Sequence, residues 1–324
     1  MNVLVWHVHG SWTTSFVHGK HRYLVPVTQD RGPYGLGRAR TYQWPEHAVE
    51  VTPQELRRSE VDVVLLQRPE EFDLACEWLG RRVGRDVPAI YVEHNTPKGD
   101  VPNTRHPMAD RDDLLLTHVT HFNELFWDNG GTRTAVVEHG VVAPAVEWTG
   151  ELDRLAVVIN EPVRRWRVTG TDLLPRFAEI APLDVYGMGV AGLADRLGLP
   201  PDRLTSHDDV PQHAMHAELA RRRAYLHLCR WTSLGLSLIE AMTMGMPVVA
   251  LATTEAVEAV PPSAGALSTR VDVLLEVARS FLDDPAAARR AGTEARSAAR
   301  QRYGLERFLA DWDRLLEEEV CASR

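Results

Sequence analysis

The sequence predicts an α/β protein built from two consecutive doubly wound parallel sheets. Three observations carry this expectation. Short β-branched runs alternate with helix-like segments, as strands and crossover helices do in parallel sheets. The alternation restarts after a loop at 143–150. The 324 residues suffice for two domains of about 100–200 residues, each with its own core.

Val3 to His9 is a short apolar and aromatic run that stops at Gly10, as a buried strand stops at a loop. Val61 to Leu66, Ala89 to Glu93, Leu114 to Val119 and Thr134 to Glu138 continue the series. Helices are expected between them over 71–80 and 121–129. A second series follows: Leu155 to Ile159, Leu183 to Tyr186, Ala224 to Leu228 and Pro247 to Leu251. From Val271 onward the chain is rich in Ala, Arg, Leu and Glu and reads as helices. Pro285 suits a first helical turn, and Arg307 and Asp311 stand at i, i+4 on a solvated face.

Thirty-six Lys and Arg against 45 Asp and Glu leave a net charge of −9, which opposes binding to nucleic acid or anionic lipid. A phosphate must then be caught by local positive charge. Cys76, Cys229 and Cys321 are an odd set without C-x-x-C spacing, as expected of reduced thiols in a cytoplasmic protein. No leader, no membrane-spanning run and no integral membrane segment is expected. His7 and His9 near Gly10 lack the spacing of a metal motif, so no metal site is expected.

The stretch with most chemistry is Thr232-Ser-Leu-Gly-Leu-Ser-Leu-Ile-Glu-Ala-Met-Thr-Met-Gly-Met-Pro-Val-Val-Ala250. A loop with Gly235 opens an apolar helix in which Glu240 is the one ionised side chain, and Gly245-Met-Pro re-enters a strand. A carboxylate there needs hydrogen-bond donors, and paired ribose hydroxyls are good ones. The alternative is a carboxylate on the exposed side of the helix or one holding a neighbouring loop. Arg164, Arg165 and Arg167 lie within four residues between a strand and a helix. Planar guanidinium forks match phosphate oxygens, so this loop is a candidate diphosphate clamp, with the responsible arginine left open.

Glu240-Ala-Met followed by Gly245-Met-Pro-Val-Val resembles the C-terminal signature of glycosyltransferase family 4. These are retaining, nucleotide-sugar-dependent enzymes of the GT-B architecture. The resemblance implies two Rossmann-like domains with parallel sheets facing across a cleft. They would span about 1–145, an acceptor domain, and 146–305, a nucleotide-sugar donor domain, with a last helix of about 306–324 packing back on the first. It implies that Glu240 binds the nucleotide ribose. Thr232 stands where the family has a second carboxylate, eight residues earlier, that contacts the donor sugar. Thr232, Ser233, Leu234 and Gly235 then supply hydroxyl and backbone donors at a helix N-terminus.

Ala156 to Leu174 is similar to the family's strand, Gly-Arg, loop, Lys-Gly segment, where Arg and Lys neutralise the donor pyrophosphate. Asn160 opens that loop, and Thr169 replaces the Lys before Gly170. Tyr186-Gly-Met-Gly189 resembles the family's Gly-x-Gly loop, with Gly187 as a donor contact, and His207 to Pro211 its loop near the base. By the same resemblance Gly10 lets backbone approach the donor phosphates, and His94 is a catalytic histidine touching donor sugar or acceptor. Arg165 is the other catalytic candidate. Glu138-His139-Gly-Val resembles the connector between domains, with His139 replacing Asn.

The activity implied is transfer of a sugar from a nucleoside diphosphate to a hydroxyl acceptor with retention. The donor is a substrate, so no cofactor is expected. Partners are small molecules, and a homodimer is left open. The rival reading is a nucleotide-sugar-binding or scaffold protein with little turnover, motivated by Thr232 and Thr169. A Rossmann dehydrogenase is disfavoured because Gly-x-Gly-x-x-Gly does not follow the first strand.

Overall fold

Every strand pairs in parallel with its neighbours, in two separate sheets. The structure is a computed structural model and describes residues 1–322. The chain divides into two compact units. One comprises residues 1–142 with those from 305 onward; the other comprises 143–304.

The first unit carries β1 (Asn2–Val5), α1 (Gly10–Phe16), β2 (Arg22–Pro26), β3 (Ala48–Val51), α2 (Pro53–Leu56), β4 (Val63–Leu66), α3 (Glu70–Leu79), β5 (Ala89–Glu93), β6 (Leu115–His118), α4 (His121–Phe126) and β7 (Thr134–Val136). Its strand order is β3-β2-β1-β4-β5-β6-β7. Val3, Leu4 and Val5 pair with Val63, Val64 and Leu65, and all six are fully buried. Strands covered on both faces read as unbroken apolar runs, which is why these were legible.

The second unit carries β8 (Leu152–Val158), α5 (Pro162–Arg165), α6 (Leu174–Ala178), β9 (Leu183–Gly187), α7 (Leu193–Leu197), β10 (Leu204–Asp208), α8 (Gln212–Leu219), β11 (Arg222–His227), α9 (Leu236–Met244), β12 (Val248–Leu251), α10 (Ala256–Ala259), β13 (Gly265–Ser268), α11 (Val271–Asp283) and α12 (Pro285–Tyr303). The order is β10-β9-β8-β11-β12-β13. Asp284 caps α12, accepting from the Ala286 and Ala287 amides, with Pro285 at the first turn.

The last helix, α13 (Leu305–Ala322), belongs to the first unit. Trp312 meets Trp12 and Phe16 edge-on, with ring centroids 5.6 and 5.2 Å away. Glu319 receives both terminal nitrogens of Arg133, at 3.0 and 2.8 Å.

Two expectations change. The first strand stops at Val5, not His9. The Trp6 carbonyl accepts from Gln67 and the Trp6 indole donates to the Tyr34 carbonyl, so this stretch bonds to loops rather than to strands. His207, expected in a loop, lies in β10, stacked on Tyr186 with centroids 4.4 Å apart. Its Nε2 is 3.2 Å from Asp184, a buried carboxylate that also accepts from Arg154 and Arg222. Burial raises the pKa of Asp184, but donation from these groups outweighs it and holds the pKa at about 2. No helix among the described residues is long and apolar enough to cross a membrane.

Candidate functional site

In an open parallel sheet, ligands bind beyond the carboxyl ends of the strands where the strand order reverses. In the second unit that point lies between β8 and β11. The loops leaving these strands hold the three arginines and the Thr232–Gly235 segment, and they are bonded together. The Arg230 amide donates to the Val168 carbonyl at 2.8 Å, and the Arg230 guanidinium grips Asp172 with two bonds of 2.6 and 2.9 Å. Gly170, at φ +74°, comes so close that an added Cβ would stand 2.0 Å from the Leu228 carbonyl oxygen. Only glycine fits there.

This edge also stores backbone strain. Six described residues other than glycine have positive φ, and four follow strands of this unit: Glu161 and Trp166 after β8, Asp209 after β10 and Thr254 after β12. Such conformations cost of order 1 kcal/mol each and gather at functional sites.

The arginines separate by partner. Arg164 faces Glu161 at 3.5 Å, and Arg167 faces Asp172 at 3.2 Å. Arg165 is half-buried and has no ion pair among the described residues. Its charge reaches Cys229, in the loop after β11, and opposes the burial that pushes the thiol up to about 11. Thr169 turns into its own loop. It is buried, donates to the Trp166 carbonyl at 3.0 Å and meets Thr171 at 2.8 Å, so its hydroxyl is used in shaping the loop.

Asn160 accepts from the Met188 amide at 2.9 Å and so ties this loop to the turn after β9. Gly187 lies there because a Cβ would stand 2.1 Å from the Ile159 carbonyl oxygen. Thr232 is half-buried, while Ser233 and Leu234 are buried. Gly235 is the N-cap of α9 without a side-chain cap bond; the Leu238 amide donates to the Gly235 carbonyl at 3.0 Å, which leaves the Leu236 and Ser237 amides to face an anion.

Glu240, one turn into α9, is 4% exposed. Its Oε1 accepts from Gln212 at 2.9 Å, and its Oε2 meets His216 Nε2 at 3.0 Å. A carboxylate offers about four lone-pair sites, so α8 occupies half of them and fixes the plane of the rest. Sequence reasoning missed Gln212 and His216. Their i, i+4 spacing on one face of α8 was the available signal.

In the first unit, Gly10 opens α1, and the space a Cβ would take is filled by the Tyr42 ring, 2.8 Å away. His94 leaves β5 with its ring 4.0 Å from His9 and 4.9 Å, edge-on, from Trp12. Its Nε2 is buried without a hydrogen-bond partner. Burial, reinforced by His9 and His139, drives its pKa well below the usual range. Burial also lowers His9 to about 4 and His139 to about 3. The three imidazoles are therefore neutral at neutral pH. His9 was not singled out from sequence as a partner of His94. Lys98 is exposed, and Arg105 is committed to Asp128 and Asp110.

Residues 193–298 match the family model of glycosyl transferases group 1. No curated protein matches the sequence. Among solved structures, the sucrose-phosphate synthase of Thermosynechococcus elongatus superposes with a TM-score of 0.74 at 14% identity, covering 99% of this chain and 100% of that one. Anabaena Alr3699/HepE in complex with UDP-glucose gives 0.71 at 14%, covering 98% and 100%. A glycosyltransferase of Rickettsia africae gives 0.68 at 11%, covering 98% of each. At 11–14% identity these solved structures establish the fold, GT-B, and the family model covers 193–298 of this chain.

Proposed function

We propose that the protein moves a sugar, with retention, from a nucleoside-diphosphate sugar to a hydroxyl acceptor, as a cytoplasmic enzyme. The donor binds at the β8/β11 edge of the second unit. Arg165 and the first amides of α9 take the diphosphate, Glu240 takes the ribose, and Thr232 and Ser233 lie toward the sugar. Asn160 and Gly187 shape the loop, and Arg164 and Arg167 are secondary. His94 serves the acceptor side. The chemical demand is to stabilise charge on the departing diphosphate, which a guanidinium and helix amides do without reorganising.

The observation that carries the reading is that Arg165, alone of the three arginines, lacks a carboxylate and stands by the loop that opens α9. The Anabaena structure was solved with UDP-glucose, which makes uridine nucleotides the first probes. Purified protein incubated with UDP-glucose and a panel of hydroxyl acceptors should release UDP and yield a glycoside whose anomeric configuration reports retention. A second reading, a nucleotide-sugar-binding protein with little turnover, is favoured by the buried, hydrogen-bonded Thr169 where the family has a lysine. Binding of the nucleotide without UDP release would select it.

A further inference from the structure

The first unit holds a cavity of 520 Å³ beside α3. Its walls come from α3 and from the 80–86 and 111–113 turns, which precede β5 and β6. These turns lie at the edge where the strands begin, whereas His9 and His94 lie where strands end. One wall comes from α3, with Phe72 and Cys76 four residues apart on one face and Gly80 just past the helix end.

Four arginines, Arg81, Arg82, Arg85 and Arg111, and two aspartates, Asp86 and Asp113, are among the residues that line the cavity. Asp86 is paired with Arg82 at 2.7 Å, and Asp113 with Arg111 at 2.7 Å. These arginines hold both carboxyls below their usual range, so each is ionised and already matched. Arg85 reaches out to Asp112, which is 82% exposed and outside the lining. Arg81 donates to the Ser59 carbonyl at 3.2 Å and has no carboxylate partner among the described residues. The C-terminal end of α3 adds about half a negative charge. Four arginines against Asp86, Asp112, Asp113 and this half charge leave about half a positive charge over, in a chain whose net charge is −9. Phe72, covered by Arg111 at 3.8 Å, gives the cavity an apolar side.

We propose that this cavity is a second ligand site, for the phosphoryl group of a small phosphomonoester, with Arg81 and Arg85 as its anion contacts. Guanidinium forks suit phosphate oxygens, and the volume suits a small molecule larger than the bare ion.

The test is calorimetric titration of the full chain with ribose 5-phosphate and with inorganic phosphate, on the parent and on an Arg81→Met/Arg85→Met double variant. Binding of ribose 5-phosphate that weakens about tenfold in the variant, at unchanged melting temperature, is the expected result. Tighter binding of ribose 5-phosphate than of phosphate supports the phosphomonoester; equal binding supports the anion site but assigns it to free phosphate. Cys76 lies in the wall, so ligand should also slow its alkylation by iodoacetamide, read by peptide mass spectrometry, while exposed Cys321 is unaffected. No binding at millimolar ligand, equal binding by the double variant, or an unprotected Cys76 overturns the proposal. Binding lost in Arg165→Met instead would place the anion at the donor loops and also overturn it.

Discussion

Replacing Arg165 by Met tests the proposed donor site most directly, because its ion-pair environment differs from that of Arg164 and Arg167. Arg165 has no carboxylate that its removal would orphan, so the loss is confined to what it gives a ligand. A hydrogen bond to a charged group is worth about 1.5–3 kcal/mol, which corresponds to a UDP affinity weakened about tenfold to a hundredfold. Arg164 and Arg167 are 72% and 71% exposed and already paired. Exposed pairs contribute about 0–1 kcal/mol, so their Met variants should bind UDP within a few-fold of the parent. Calorimetric titration of the three variants with UDP, with melting curves to confirm folding, reads this order. Equal affinity for Arg165→Met and the parent, or equal loss in all three, refutes the reasoning.

Other expectations follow from the same contacts. Glu240→Ala should weaken UDP binding and also lower stability by about 1–3 kcal/mol, because Gln212 and His216 lose their buried acceptor. Unchanged nucleotide affinity in a folded Glu240→Ala would reject the ribose role. His216→Ala should weaken UDP binding less than Glu240→Ala if His216 acts by holding the carboxylate; an equal or larger loss would argue for direct contact. His9 and His139 have folded pKa values below the unfolded 6.5, so the unfolded state takes up their protons first. Stability should fall as pH drops from about 6.5 toward 4, by at most about 1.4 kcal/mol per pH unit for each group. His139→Asn should flatten that slope in thermal melts, and an unchanged slope would dissociate the effect from this cluster. Trp312→Ala should destabilise the first unit by about 3–5 kcal/mol, measured by denaturant unfolding; a change below 1 kcal/mol would mean α13 is dispensable to its core.

Much of the sheet was legible because its central strands are buried on both faces. Ala89–Glu93 needed no adjustment, and Val63–Leu66 and Val248–Leu251 lost only a residue or two at the start. β3, β10 and β13 were not expected, and each is an edge strand. Leu204-Thr-Ser-His-Asp and Gly265-Ala-Leu-Ser carry too few apolar residues to signal a strand. Their pairing to one neighbour supplies what their side chains do not. β2 was obscured by the basic run before it and by Pro26.

The candidate site divides in the same way. By itself the sequence determined the alternating architecture and the chemical types in the strand-end loops: three clustered arginines, a lone carboxylate in an apolar helix and a histidine leaving β5. Those follow from local pattern, because burial and turn formation act over a few residues. Only the tertiary structure decided which arginine is left without a partner, that Thr169 is consumed inside its own loop, and that α8 pins Glu240. Electrostatic pairing acts through space between residues such as Arg230 and Asp172 that are 58 positions apart, and no local pattern encodes that distance.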